Sequence, residues 1–238
     1  MEAGPNHDGS AAARGSRAEA GDEAEALLRL NERGWHPLAY EGWFRLNPFQ
    51  ALLRHREHTA AMAAVQRWID PSHAVLELGS GTGLYTLGLS RACRRVVAVD
   101  SSTDMLGFLS RRLGRAQVSN ASLVRGSLGA DLELGERFDG VVTIGLLNYV
   151  PDLDRALQTI AEHLKPGGWG VLSVPLANIN GRLYQLGERL SGRRVWTYSP
   201  EVFAERAARA GLQVERAQAA GVSRRGLTLV NEVRREPL

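Results

Sequence analysis

The sequence predicts an α/β protein built on a doubly wound, mostly parallel sheet. Three observations carry that prediction. Buried-looking strands alternate with helical patterns from about residue 74 to residue 175. The first of those strands, Val75-Leu76-Glu77-Leu78, runs straight into Gly79-Ser80-Gly81-Thr82-Gly83, and a helical pattern follows at once over Leu84 to Ala92. Two last strands, about Leu212–Ala217 and Leu227–Val233, can close as a hairpin across residues 218–226 and imply one antiparallel edge strand.

Length and composition set the bounds. The 238 residues suffice for one large domain with a full core. A hydrophobic share of 44% and a charged share of 23% are those of a globular protein in water. No apolar run reaches the roughly 18 to 20 residues of a membrane span, and residues 1–26 carry no apolar centre of a secretory signal. The expected location is cytoplasmic, with no membrane partner. The single cysteine, Cys93, excludes an internal disulfide and a cysteine-built zinc site, and its place in a helical pattern suits a small buried hydrophobe. No metal site is expected. The net charge of +3 is modest and the arginine doublets are scattered, so nucleic acid is an unlikely partner.

The chain divides by composition. Residues 1–22 are Gly, Ala, Ser, Glu, Asp and Arg without an aromatic, the composition of a disordered tail. Residues 23–70 form a helical cap. Ala24, Leu27 and Leu28 start it, Trp35, Tyr40, Trp43, Phe44 and Phe49 make it aromatic, and Leu52 to Trp68 continue at helical spacing until Asp70-Pro71. Residues 71–238 are the main domain. Within it Val96 to Val99 is a second strand ending in Asp100, and Ser101, Ser102 or Thr103 can cap the helix that follows. Ser122-Leu123-Val124 is a weak third strand and Phe138 to Ile144 a fourth. Pro151-Asp152 opens a helix that Pro166-Gly167-Gly168 ends, and strand five runs from Trp169 to Val174. Residues 176–197 have no strand signal and read as a substrate-side insert. Ser199-Pro200 starts the last helix.

The chemistry centres on the glycine turn. Glycines at 79, 81 and 83 let backbone turn tightly and approach a ligand closely. Their Gly-x-Gly-x-Gly spacing differs from the Gly-x-Gly-x-x-Gly of dinucleotide sites, and Leu84 follows where a small residue would sit, so a pyrophosphate fits poorly. Asp100 lies 17 residues after Gly83, at the end of the neighbouring strand. A carboxylate there can accept from both hydroxyls of a ribose; a helix cap is the alternative. Glu77 is an acid inside a buried strand and needs partners, either as a buttress of the turn or as a ligand contact.

These segments resemble class I S-adenosylmethionine-dependent methyltransferases. Glu77 to Gly83, Val99-Asp100, Phe138-Asp139 and Leu164 to Gly168 look like that family's ordered motifs, over roughly residues 70–215. The segment Tyr40 to Phe44 looks like the part that folds over the cofactor in members acting on small molecules. The resemblance implies a seven-stranded sheet of order 3-2-1-4-5-7-6 and S-adenosylmethionine along the strand ends. It implies cofactor contacts from Tyr40, Glu77, Gly79, Ser80, Gly81 and Gly83. Asp100 would hold the ribose and Ser101 and Met105 flank the adenine. Where relatives carry an acid after strand three, this chain has Ser127 and Leu128, with Asp131 beyond. Gly145 and Leu146 would floor the methionine end.

The acceptor side is less constrained. Asn148-Tyr149 replaces the histidines often found before Val150-Pro151-Asp152 in related enzymes, so no obvious base is present. Tyr149 and His36 are weak catalytic candidates. Trp43, Tyr149, Tyr184 and Trp196 are candidate substrate contacts, together with Trp35, Phe44 and Tyr198, and the arginines at 182, 193 and 194 are expected in solvent. An activated methyl group needs chiefly a well-placed acceptor, because orientation alone supplies on the order of 7–11 kcal/mol. The expected function is transfer of a methyl group to a small organic acceptor by in-line displacement. The alternatives are a cofactor-binding protein without catalysis, a methyltransferase acting on protein or RNA, and a nicotinamide-dependent oxidoreductase. Oligomeric state is not legible.

Overall fold

The structure is a computed structural model that describes residues 36–128, 132–221 and 226–237. The expected tail at 1–22, the start of the cap, Trp35 and Asp131 lie outside the described residues.

Two helices precede the sheet. Helix α1 (Pro37–Leu46) begins with proline in its first turn, and the His36 ring accepts the Leu38 N–H as its cap. Helix α2 (Pro48–Gln66) repeats the device with Asn47, whose Oδ1 accepts from Gln50. The chain then enters β1 (Ala74–Leu78), α3 (Thr86–Ser90), β2 (Arg95–Asp100), α4 (Thr103–Arg115), β3 (Ala121–Arg125) and β4 (Phe138–Thr143). A 3₁₀ turn, Leu147–Tyr149, leads to α5 (Leu153–His163), β5 (Leu164–Pro175), α6 (Ile179–Leu190), α7 (Pro200–Arg209), β6 (Leu212–Ala220) and β7 (Thr228–Arg235).

The seven strands lie in the order β3-β2-β1-β4-β5-β7-β6. Strands β1 to β5 are mutually parallel, and β7 runs antiparallel to both neighbours, β5 and β6. This is the order that the resemblance implied, and within it the antiparallel strand is not the edge that the hairpin alone suggested. It inserts between β5 and β6, and β6 takes the edge. The reason is burial: in β7, Thr228 to Val233 are all buried, whereas β6 is exposed through most of its length.

Period-two alternation splits the core into two layers. Leu76, Leu78, Val97 and Val99 face Leu153, Leu157 and Ile160 of α5 and Phe203 of α7. Val75, Val96 and Ala98 face the other way, onto Ala61, Ala64 and Val65 of α2, Leu89 of α3 and Leu109 of α4. Cys93 is buried among that second layer.

Three expectations need correction. The helix after the glycine turn is five residues, Thr86–Ser90, because residues 82–85 are still turn and Gly83 holds φ at +85°. Strand β5 starts at Leu164, directly after α5: Leu164 pairs with Phe138, the next pair is Gly140 with Trp169, and Lys165 to Gly168 bulge out between them. Residues 179–190 form α6, capped by Asn178, whose Oδ1 accepts from Gly181. The glycines at 181 and 187 masked this helix in the sequence, although Ile179, Leu183, Leu186 and Leu190 recur at helical spacing.

Candidate active site

A cavity of about 1110 Å³ opens over the C-terminal ends of the strands, with α1, α2 and α6 over it. That volume lies just above the roughly 300–1,000 Å³ usual for a ligand pocket. It has two ends, each built by different elements.

The first end is the glycine turn between β1 and β2. The Gly79 and Ser80 N–H groups both donate to the Val99 carbonyl, which folds the turn back against β2. Gly79 (φ +74°) and Gly81 (φ +51°) adopt left-handed backbone and line the cavity. A side chain at Gly81 would meet nothing within 4 Å, because the space above it is the cavity itself. The Asp100 Oδ2 accepts the Gly81 N–H at 2.7 Å and its Oδ1 the Ser102 N–H at 2.9 Å. The Ser80 hydroxyl is buried in this wall with no hydrogen-bond partner. Ser101 and Met105, and across from them Ser127 and Leu128, complete an apolar slot beside Asp100.

The second end is aromatic. Tyr40, Trp43, Phe44 and Phe49 descend from the α1–α2 cap; Tyr149 and Tyr184 rise from the 3₁₀ turn and α6. The Tyr149 and Tyr184 hydroxyls meet at 3.3 Å, and the Asn148 amide donates to Tyr184 at 3.1 Å. Burial raises the pKa of Tyr149 and Tyr184, and it pushes Tyr40 up to about 12 despite Arg54 nearby. All three stay protonated at neutral pH, so they can donate hydrogen bonds and cannot act as bases. Gly145 lies on the floor between the two ends, its N–H on the Ser173 Oγ at 2.9 Å.

Five candidates are not on the cavity wall. Glu77 is 2% exposed and turns away from the cavity to Thr86, whose hydroxyl donates to it at 2.6 Å. Burial pushes its pKa up to about 8. Of the two readings open in the sequence, the buttress fits this placement. Gly83 packs on α4: a Cβ there would lie 2.2 Å from Leu109 Cδ1. Trp196 packs against the core with Arg194 over its ring, and only its backbone N–H reaches the site, through Asn148. His36 caps α1 in solvent. Tyr198 is likewise in the core.

Other residues reach the cavity unannounced by any motif. Arg54 from α2 stacks over Tyr40 and Phe44, 5.1 and 4.3 Å from the ring centres, and pairs with Glu41 at 3.4 Å. Arg193, expected in solvent, pairs with Glu188 at the wall. Glu57 enters from α2 and accepts from the Ser173 hydroxyl at 3.2 Å. A signal for it existed: Glu57 falls on the stripe of Ala60, Ala61, Ala64 and Val65 that α2 buries.

Two further motifs lie at the far end of the strands and serve the sheet. Asp139 accepts the Ala74 N–H at 2.8 Å and takes Lys165 at 2.6 Å, which ties the start of β1 to β4 and to the β5 bulge.

This sheet order, with a glycine turn after β1 and a carboxylate ending β2, is the fold of class I S-adenosylmethionine-dependent methyltransferases. Solved structures agree. Magnesium protoporphyrin IX methyltransferase from Synechocystis PCC 6803, with S-adenosylhomocysteine bound, superposes with a TM-score of 0.71 at 16% identity, covering 88% of this chain and 99% of that one. The N-methyltransferase NodS from Bradyrhizobium japonicum WM9, also with S-adenosylhomocysteine, gives 0.63 at 21% identity over 90% and 97%. A methyltransferase domain family matches residues 52–217, and the chain belongs to that family. Among curated relatives, the dTDP-3-amino-3,6-dideoxy-alpha-D-glucopyranose N,N-dimethyltransferase of Streptomyces fradiae is 30% identical over 118 residues, which is 48% of this chain and 44% of that protein. A ubiquinone biosynthesis O-methyltransferase of Nitrobacter winogradskyi is 24% identical over 197 residues, 79% of this chain and 72% of that one. The chain spans less than half the length of the first curated relatives it matches.

Proposed function

We propose that this protein transfers the methyl group of S-adenosylmethionine to a small organic acceptor held in the aromatic end of the cavity. One observation carries the reading. A single cavity joins the glycine turn and Asp100 at one end to the tyrosine cluster at the other, with room for two ligands side by side.

The residues present fit the cofactor. The Ser80 hydroxyl is a buried polar group still lacking a partner, and the space over Gly81 is open where a side chain would fill it. Asp100 presents an acceptor-only carboxylate to the cavity at the end of β2, which suits a ribose diol. Met105 and Leu128 are buried apolar walls at the slot where a flat base would lie. Tyr40 comes from the cap above, and Gly145 from the floor. When bound, the cofactor supplies an activated methyl group on a sulfonium. The protein's part is to orient the two ligands and exclude water, which α1, α2 and α6 do by roofing the cavity. Residues 36–70 act as the lid, residues 71–238 as the catalytic domain, and residues 176–197 as the acceptor-side wall. Among the described residues no helix is long and apolar enough to cross a membrane.

Calorimetry with S-adenosylhomocysteine tests the reading. Wild type binds, whereas Asp100→Ala and Gly81→Val bind at least tenfold more weakly. Equal affinity in all three overturns the assigned site.

A further inference from the structure

We propose that Glu57 is the acceptor-binding group and that the acceptor is an amine, which enters as an ammonium and passes one proton to the Glu57 carboxylate. The proposal rests on the methyltransferase reading and names its substrate class.

Position comes first. Glu57 reaches the cavity from α2, and its carboxylate takes the hydroxyl of Ser173 on β5, with the Thr228 hydroxyl of β7 close by. Asp100 ends β2, three strands from β5 and four from β7. At the usual spacing, Glu57 therefore stands roughly 14 Å or more along the sheet from Asp100. That is the acceptor end. The Ser173 oxygen already accepts the Gly145 N–H, so its own proton is directed at Glu57 Oε1. The network presents Glu57 as an acceptor of hydrogen bonds.

Charge comes second. Arg54 pairs with Glu41, and Arg193 with Glu188. Among the described residues no cation lies within ion-pair distance of Glu57. Arg54 acts on Glu57 only at longer range, and a buried carboxylate without an ion-pair partner is costly, a cost that a ligand cation relieves. An alcohol would leave the charge uncompensated, and a carboxylate would double it. The walls point the same way: Trp43, Tyr149 and Tyr184 line this end, and aromatic rings attract a cation and gain little from an anion.

Proton transfer comes third. Burial raises the Glu57 pKa, opposed by the two hydroxyls and Arg54. A carboxylate so placed takes a proton from an ammonium more readily than an exposed one does. The exchange balances: R–NH₃⁺ and Glu57–COO⁻ become R–NH₂ and Glu57–COOH. It frees the nitrogen lone pair that a methyl transfer needs.

The test is calorimetry of matched ligand pairs, benzylamine against benzyl alcohol and tyramine against 4-(2-hydroxyethyl)phenol, with and without saturating S-adenosylhomocysteine. Wild type should favour the amine of each pair about tenfold or more. Glu57→Gln should abolish the preference, Glu57→Asp should retain part of it, and neither should shift S-adenosylhomocysteine affinity beyond about twofold. The melting temperature of Glu57→Gln should equal or exceed that of wild type, because a buried charge is removed. An amine preference absent from wild type or surviving in Glu57→Gln overturns the proposal, as does a lower melting temperature with weakened cofactor-product binding, which marks Glu57 as structural. Failure of wild type to bind S-adenosylhomocysteine instead overturns the methyltransferase reading, and the amine pairs measured without it still decide Glu57.

Discussion

The Asp100 carboxylate accepts the Gly81 N–H at 2.7 Å, so the end of β2 holds the turn that ends β1. The other carboxylate oxygen takes the Ser102 N–H, at the start of α4. One side chain thus fixes the spacing of three cavity walls before any ligand arrives. Hydrogen bonds to a charged acceptor contribute about 1.5–3 kcal/mol each, against about 1 for neutral ones.

Replacing Asp100 with alanine should therefore cost stability as well as affinity. The expected loss is about 2–4 kcal/mol in denaturant unfolding, from two N–H groups left without their charged partner. Asp100→Asn should recover part of the stability and little of the S-adenosylhomocysteine affinity. Stability equal to wild type in Asp100→Ala would show that the turn holds its shape without the carboxylate.

Gly81 and Gly83 should separate cleanly. Alanine at 83 carries left-handed strain and drives a Cβ to 2.2 Å from Leu109 Cδ1, a combined cost of about 2–4 kcal/mol. Alanine at 81 meets open space and should cost only about 1–2 kcal/mol, while weakening S-adenosylhomocysteine. Thermal unfolding and calorimetry on the two variants measure both quantities.

Glu77 gives a pH signature. Burial, which outweighs the Thr86 bond, raises its pKa from the ordinary glutamate range to about 8. The folded state then binds a proton more tightly than the unfolded state. This contribution is complete below the unfolded pKa and is lost as pH rises through about 8. Glu77→Gln should accordingly gain on wild type by a few kcal/mol between pH 5 and pH 9. Parallel stability–pH curves for the two proteins would contradict the assignment.

Glu232 should behave in the opposite sense. Its burial alone would raise the pKa, but Arg67 and the Trp68 indole, which donates at 2.7 Å, outweigh burial and hold it low. That stability is present above the unfolded glutamate pKa and lost as pH falls through the depressed folded value. Arg67→Ala should cost about 1–3 kcal/mol at neutral pH and flatten the acid limb of the stability curve. The same variant reports on the cap, because Arg67 and Trp68 fasten the end of α2 to β7.

Much of this was legible in order along the chain. The alternation of strands and helices, the glycine turn, Asp100 at the end of the second strand and the aromatic cap all follow from local spacing and local composition. Period-two burial and turn glycines act over a few residues, so a linear reading captures them. The insert helix was missed because glycines at 181 and 187 interrupt it, although its apolar residues keep helical spacing. The edge was legible only through the resemblance, whose order 3-2-1-4-5-7-6 the sheet reproduces, because which of two paired strands lies inside depends on what covers each.

The sequence by itself determined the class of the protein, because four ordered motifs, Glu77 to Gly83, Val99-Asp100, Phe138-Asp139 and Leu164 to Gly168, carry its resemblance to one family. Only the tertiary structure decided which of those residues face the ligand space. It turned Glu77 to Thr86 and Gly83 to Leu109. It also brought Glu57, Ser173 and Thr228, residues separated by more than 50 positions each, onto one end of a single cavity. Side-chain direction at the strand ends is set by contacts between layers, and those contacts do not exist until the sheet is assembled.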